Sequence, residues 1–198
     1  MNLPLRRRFV LLAATAAAAT SACTDAAWAG REQPRPASDR MVLPPDSRTM
    51  RSPSGRYQLV IRSDDHWKTR LATGELTDLC IPGHPVVWQM ALPQTQGPRR
   101  ALVTDQGATV MLDSWLNVAS PHAIVVVDPL GRMLAVHEFD AIVAVLGVSR
   151  RTVAQHARLG PWLSGEPVVS DDGTAVMLEA GGRHLQLTLA DGKLAASR

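Results

Sequence analysis

Three times along this chain a short polar segment ending in glycine is followed at once by an apolar run. The clearest pair is Thr104-Asp105-Gln106-Gly107-Ala108-Thr109-Val110-Met111-Leu112-Asp113 and Ser170-Asp171-Asp172-Gly173-Thr174-Ala175-Val176-Met177-Leu178-Glu179, with Val-Met-Leu at the same offset from the glycine. A poorer copy is Ser52-Pro53-Ser54-Gly55-Arg56-Tyr57-Gln58-Leu59-Val60-Ile61. Glycine supplies the positive φ of a tight hairpin turn, and Asp or Ser ahead of it bonds its own backbone, so each copy reads as strand, turn, strand. A second glycine follows each first one, Gly74, Gly131 and Gly192, at distances of 19, 24 and 19 residues. The expectation is mainly β: three units of two hairpins, each with four short antiparallel strands.

Between the second and third units the period changes. Over Phe139 to Trp162, Ile142, Val145, Leu146 and Val153 recur at helical spacing, and Gly147-Val148-Ser149 reads as a break followed by an N-cap. Two short helices joined by a turn are expected, inserted among the β units.

A two-hairpin unit with an S-x-D-G-like first turn and a second turn of the form seen at Asp191-Gly192-Lys193-Leu194 resembles one blade of the propellers related to the TolB and WD40 families. The resemblance covers residues 51 to 138 and 167 to 196. It implies blade-like sheets, but closed propellers of this kind have four or more blades and this chain has three units. The departure leaves three arrangements open: an open stack of sheets, a curled sandwich, or completion by a partner. A D-x-W after the second strand, Asp113-Ser114-Trp115, is similar to a feature of other exported proteins and implies no activity.

The helical stretch from Val143 to His156 also resembles a DNA-binding helix-turn-helix, in which the helix opening at Ser149 enters the major groove. Arg150, Arg151 and Gln155 are then the candidate readers of phosphate or base edges. That motif needs a third helix to complete its core and a basic surface around it.

The N-terminus bears on this. Arg6, Arg7 and Arg8 precede an apolar run from Phe9 to Ala19, too short to span a bilayer, and small residues follow: the layout of an export signal over residues 1–29. Arg6-Arg7-Arg8-Phe9-Val10 resembles the twin-arginine signature, with Leu5 where that family has Ser or Thr. Two processing sites compete. Thr20-Ser21-Ala22-Cys23 resembles a lipobox and implies lipidation of Cys23; Ala27-Trp28-Ala29 is a cleavage site that releases a soluble protein beginning at Gly30. Either way the expected location is the periplasm or, through a lipid anchor, the membrane surface. Three of the 21 basic residues and one of the 18 acidic residues fall in this leader, which leaves 18 against 17. A nearly neutral exported chain is a poor nucleic-acid binder. Residues 30–50, with Pro34, Pro36, Pro44 and Pro45, read as an extended tether, and the domain is expected over residues 51–198.

Candidate chemistry is sparse. No nucleophile elbow, H-E-x-x-H helix, phosphate loop or paired C-x-x-C is present. No cofactor or metal site is expected; Cys80 with His84 is a weak ligand pair, and Asp171 and Asp172 read as turn formers rather than calcium ligands. Cys80, flanked by Leu79 and Ile81, is expected to be buried as a small hydrophobe. His66, His84, His122, His137, His156 and His184 are scattered. Trp67, Trp88, Trp115 and Trp162 read as core pieces, with a sugar or peptide groove as the alternative. Asp113, Ser114 and His122 are the candidate catalytic set of an envelope hydrolase. The leading reading is an exported, non-enzymatic β-repeat module that binds a protein or envelope component, with open sheet edges as docking or oligomerisation surface. The hydrolase is the rival, and a cytoplasmic DNA-binding protein the third reading if the leader stays attached.

Overall fold

The structure, a computed structural model, describes residues 42–116 and 118–197. The proposed leader, Cys23 and most of the tether lie outside the described residues. The first sheet is a meander of β1 (Ser47–Arg51), β2 (Tyr57–Arg62), β3 (Ala72–Asp78) and β4 (Val86–Leu92). The second comprises β5 (Pro98–Val103), β6 (Thr109–Ser114), β7 (Ile124–Val127) and β8 (Met133–His137). The third comprises β9 (Val168–Val169), β10 (Ala175–Ala180), β11 (Arg183–Thr188) and β12 (Leu194–Ala196). Two helices, α1 (Phe139–Leu146) and α2 (Arg150–His156), stand between the second and third sheets in the chain. The protein is therefore mainly β, with three open four-stranded antiparallel sheets and a two-helix insertion, as the repeats and the change of period predict.

The first turn of each unit has one chemistry. Gly55, Gly107 and Gly173 have φ of 77°, 86° and 69°. Their N–H groups donate to the carbonyls of Ser52, Thr104 and Ser170, three residues back, at 2.9, 3.0 and 2.8 Å. The hydroxyls of Ser52, Thr104 and Ser170 in turn accept from the N–H groups of Tyr57, Ala108 and Ala175 across the turn, at 3.2, 3.1 and 3.0 Å. Each repeat thus carries a hydroxyl to close the hairpin and a glycine to bend it.

Two expectations are corrected. Gly74 forms no turn: it lies inside β3, paired with Ile61 of β2 and Met90 of β4. A Cβ there would come within 2.8 Å of Leu92, so close side-chain packing is what this glycine permits. The β3–β4 turn instead uses Gly83, at φ 83°. The domain also begins earlier than residue 51, because Ser47 to Arg51 pair in full register with Arg62 to Gln58. Pro44 and Pro45 end just short of that strand, and the backbone beyond them has every donor the ladder needs.

The middle sheet accounts for the unbroken apolar runs. Every residue of β6 and β7 is buried. Met111, Val125 and Val127 pack toward the first sheet with Tyr57, Leu59, Ile61, Leu76 and Trp88. Val110, Leu112, Ile124 and Val126 pack toward the third sheet with Val176, Leu178, Leu185 and Leu187. A strand covered on both faces shows no alternation, whereas β2 and β3, covered on one face, alternate strictly between buried and half-buried. The helices enter the second cluster through Phe139, Ile142, Leu146 and Val153, and α1 packs on β12. Gly147 ends α1 at φ 62°, its N–H returning to the carbonyls of Val143 and Ala144. Ser149 caps α2 by accepting from the Thr152 N–H at 3.0 Å.

Candidate functional site

The first strands β1, β5 and β9 are all edge strands, and residues on or just ahead of them line two adjoining cavities of one cleft. A cavity of about 370 Å³ is bounded by Arg48 and Met50 of β1, Arg99, Arg100, Ala101 and Leu102 of β5, and Glu166 and Pro167 ahead of β9. A second cavity of about 310 Å³ shares Met50, Ala101 and Leu102 and reaches Arg51, Pro53 and Val169. The repeat register explains the convergence. Arg48, Arg100 and Glu166 each stand four residues ahead of the turn hydroxyls of Ser52, Thr104 and Ser170, so equivalent positions of three units face one another.

Three guanidinium groups meet one carboxylate in the cleft. Arg48 donates from Nη1 to the carbonyl of Arg99 at 3.2 Å and from Nη2 to that of Pro98, and lies over the Trp115 ring at 4.9 Å. Its Nε is buried without a partner, and burial holds the pKa of the guanidinium below its ordinary value. The group stays cationic all the same, since arginine titrates far above neutrality. Carbonyl dipoles and a π face stabilise this cation, but no carboxylate among the described residues pairs with it. Arg100 donates to the Leu159 carbonyl at 2.8 Å and reaches the exposed Glu166 carboxylate at 3.4 Å, a weak and solvated pair. Trp115 is half-buried behind Arg48, its indole donating to the Val42 carbonyl at 2.7 Å.

The candidate hydrolytic set lies at the far end of β6. Asp113 is 1% exposed, adopts φ 54°, and accepts from the indole N–H of Trp162 at 2.8 Å. Burial pushes its pKa up to about 7, opposed by the Trp162 bond and by the charges of Arg99 and Arg100. The hydroxyl of Ser114 bonds that of Ser120 at 3.1 Å, and the Ser120 oxygen accepts from the backbone N–H of His122 at 3.0 Å. The three residues are neighbours, but among the described residues no hydrogen bond joins the Ser114 hydroxyl to Asp113 or to the His122 ring. Nucleophilic activation requires that bond, so the geometry does not assemble a triad.

The other sequence candidates fall as follows. Arg150 is engaged by Asp140 and lies over the Phe139 ring at 5.6 Å, while Arg151 and Gln155 are exposed on α2. No third helix accompanies α1 and α2 among the described residues. Trp67, Trp88 and Trp162 are buried core, at 7%, 6% and 0% exposure. Cys80 is a correction: it is exposed, because the chain leaves β3 at Asp78 and the thiol falls in the turn beyond, with Asp78 accepting the Cys80 N–H at 3.0 Å. His84 lies in the same exposed turn at φ 45°. Asp172 serves its turn, accepting from the Ser170 hydroxyl and the Thr174 N–H, and these bonds hold its carboxyl down at about 2. Asp171 lines a separate cavity of about 250 Å³ beside that turn. No group of three or more metal-ligating side chains clusters among the described residues.

Sequence reasoning missed the arginine cleft altogether. Arg48 lay in the segment assigned to the tether, and Arg99 and Arg100 carry no motif; the usable signal was the shared register position of Arg48, Arg100 and Glu166.

No family model matches the chain, and no curated protein matches it. Among solved structures it is similar to a europium-containing methanol dehydrogenase, with a TM-score of 0.36 and 16% identity over 73% of this chain. The chain spans 23% of that protein's length, and a likeness so slight carries no argument about fold or activity.

Proposed function

We propose that this chain is an exported, non-enzymatic binding module whose β units are propeller-blade-like repeats, and that the cleft between β1, β5 and β9 receives its protein or envelope partner. The observation that carries the reading is that Arg48, Arg100 and Glu166, from equivalent positions of all three units, line a single open cleft together with Arg99. Binding surfaces put polar anchors on rigid elements, and each of these stands on or beside a strand. Support for export comes from the residue order of the first 29 positions, whose processing leaves either a lipid on Cys23 or a new terminus at Gly30.

Two measurements test the reading. Mass spectrometry of the protein from its natural source should find a mature terminus at Cys23 or Gly30; an intact Met1 terminus in the cytosol overturns export. A photo-crosslinking side chain at Ala101 should give a discrete adduct in the native cell envelope, and the same group at Gln89, on the far edge of the first sheet, should not. Equal adducts from both positions, or none from Ala101, overturn the cleft as the binding site. The rival hydrolase reading takes over if an esterase or glycosidase screen finds turnover that Ser114→Ala abolishes without loss of stability.

A further inference from the structure

Half of the eight residues around the larger cavity are apolar, and those apolar residues, Met50, Ala101, Leu102 and Pro167, form a floor between the charges. A ligand that is only an anion leaves that floor wet; a ligand that is only apolar leaves the charges of Arg48 and Arg99 without a counter-ion. Of the three cleft arginines, Arg100 alone has an ion pair among the described residues. Glu166 stands on the same wall and repels a dense polyanion, and the remainder of the chain beyond the leader is close to electroneutral, so a nucleic acid or other polyphosphate gains little there. The cleft lies beside the edge strands β1 and β5, of which β5 has its first carbonyls, Pro98 and Arg99, occupied by Arg48, and β1 alone offers an edge of about 16 Å at about 3.3 Å per residue. An extended polypeptide matches both the edge and the mixed wall.

We infer that the cleft binds an extended acidic protein segment, one carboxylate of which sits between Arg48 and Arg99 while an adjacent apolar side chain rests on Met50 and Leu102. The inference rests on the cleft being the binding site. Arg99, which has no ion pair among the described residues, can meet a carboxylate with two parallel bonds, while the Nη protons of Arg48 that the Pro98 and Arg99 carbonyls leave open add a charge-assisted contact in a half-buried setting that reduces competition from water. Arg48 needs no reorganisation to do this, because the Pro98 and Arg99 carbonyls and the Trp115 ring already hold it in place.

The test uses the full chain and an array of acetylated, amidated pentapeptides with Glu, Gln, Ala or phosphoserine at the centre and apolar or polar flanks. Glu-centred peptides with an apolar neighbour should bind about tenfold more tightly than their Gln counterparts, a difference that one charge-assisted contact supplies. Arg99→Gln should remove that preference; Arg48→Gln, checked for folding by urea denaturation, should do the same. Ala101→Trp should block all binding by filling the floor. If Gln-centred peptides bind as well as Glu-centred ones, or the arginine variants keep the preference, the acidic-segment inference fails, and the cleft survives provided that Ala101→Trp still blocks. Preference for phosphoserine makes the ligand a phosphate and also overturns it. If no array peptide depends on Ala101, the cleft itself fails as a peptide site.

Discussion

The indole N–H of Trp162 donates to Oδ1 of Asp113 at 2.8 Å, joining positions 49 residues apart in the chain. The bond ties the segment that follows the helical insertion to the end of the central strand β6, and both residues are buried. It also gives the only hydrogen bond from a side chain to this carboxyl among the described residues. The remaining solvation is lost to burial, which is why the carboxyl of Asp113 holds its proton to about pH 7.

Stability should therefore depend on pH through Asp113. Its folded pKa of about 7 lies above the ordinary 3.8, so the folded state binds the proton more tightly than the unfolded state does. The stabilisation from that proton is complete below about pH 4 and is lost as pH rises through about 7. Asp113→Asn, which keeps an oxygen acceptor for Trp162 and tolerates positive φ, should flatten this contribution and raise stability at pH 8 by up to about 4 kcal/mol. Urea titrations of both proteins between pH 4 and 8 measure it; parallel pH profiles would sink the assignment.

Trp162→Phe removes the donor and leaves the carboxyl oxygen of Asp113 unsatisfied in a closed site. The loss should be about 1–3 kcal/mol, and the pH at which Asp113 ionises should move upward, since a bond that favoured the charged form is gone. NMR titration of the Asp113 carboxyl carbon reads the direction; a downward shift contradicts the geometry.

The three turn glycines should not respond equally to alanine. All have positive φ, and strain alone should cost about 1 kcal/mol at Gly55, where a Cβ would meet nothing within 4 Å. Gly173→Ala presses on the end of the flexible Gln106 side chain, which can swing aside. Gly107→Ala places a Cβ 3.2 Å from the buried Tyr57 ring, which cannot. Gly107→Ala is accordingly the most destabilising of the three by denaturant midpoint, and a larger loss at Gly55 would contradict this order.

The Cys80 thiol should react with Ellman's reagent in the native protein to the full extent of one thiol per chain when Cys23 is absent or lipidated. Exposure in the β3–β4 turn predicts the same extent of reaction with and without denaturant. Protection that disappears only on unfolding would restore the buried thiol expected from its apolar neighbours.

Local chemistry explains which parts of the fold were legible. A hydroxyl, a glycine and an apolar run close a hairpin within a few residues, and a helix cap such as Ser149 acts within one turn. Both are short-range events that a single stretch of chain specifies. Gly74 broke the rule because its reason is a neighbour in another strand, Leu92, rather than a turn. Cys80 broke it because Leu79 and Ile81 describe hydrophobicity, while exposure depends on where β3 stops.

Residue order along the chain was enough to specify three four-stranded β units and the helical interruption, since hairpins and helices are built from contacts close in sequence, but it did not place β1, most of which lies in the segment read as a tether. The cleft was not legible in this way. Arg48, Arg99, Arg100 and Glu166 become one site because three edge strands, as many as 118 positions apart between Arg48 and Glu166, are brought side by side by the burial of β6 and β7 on both faces. Stacking of sheets is a long-range consequence of removing apolar surface from water, a force without direction, and it is the arrangement of whole sheets that places these charges together.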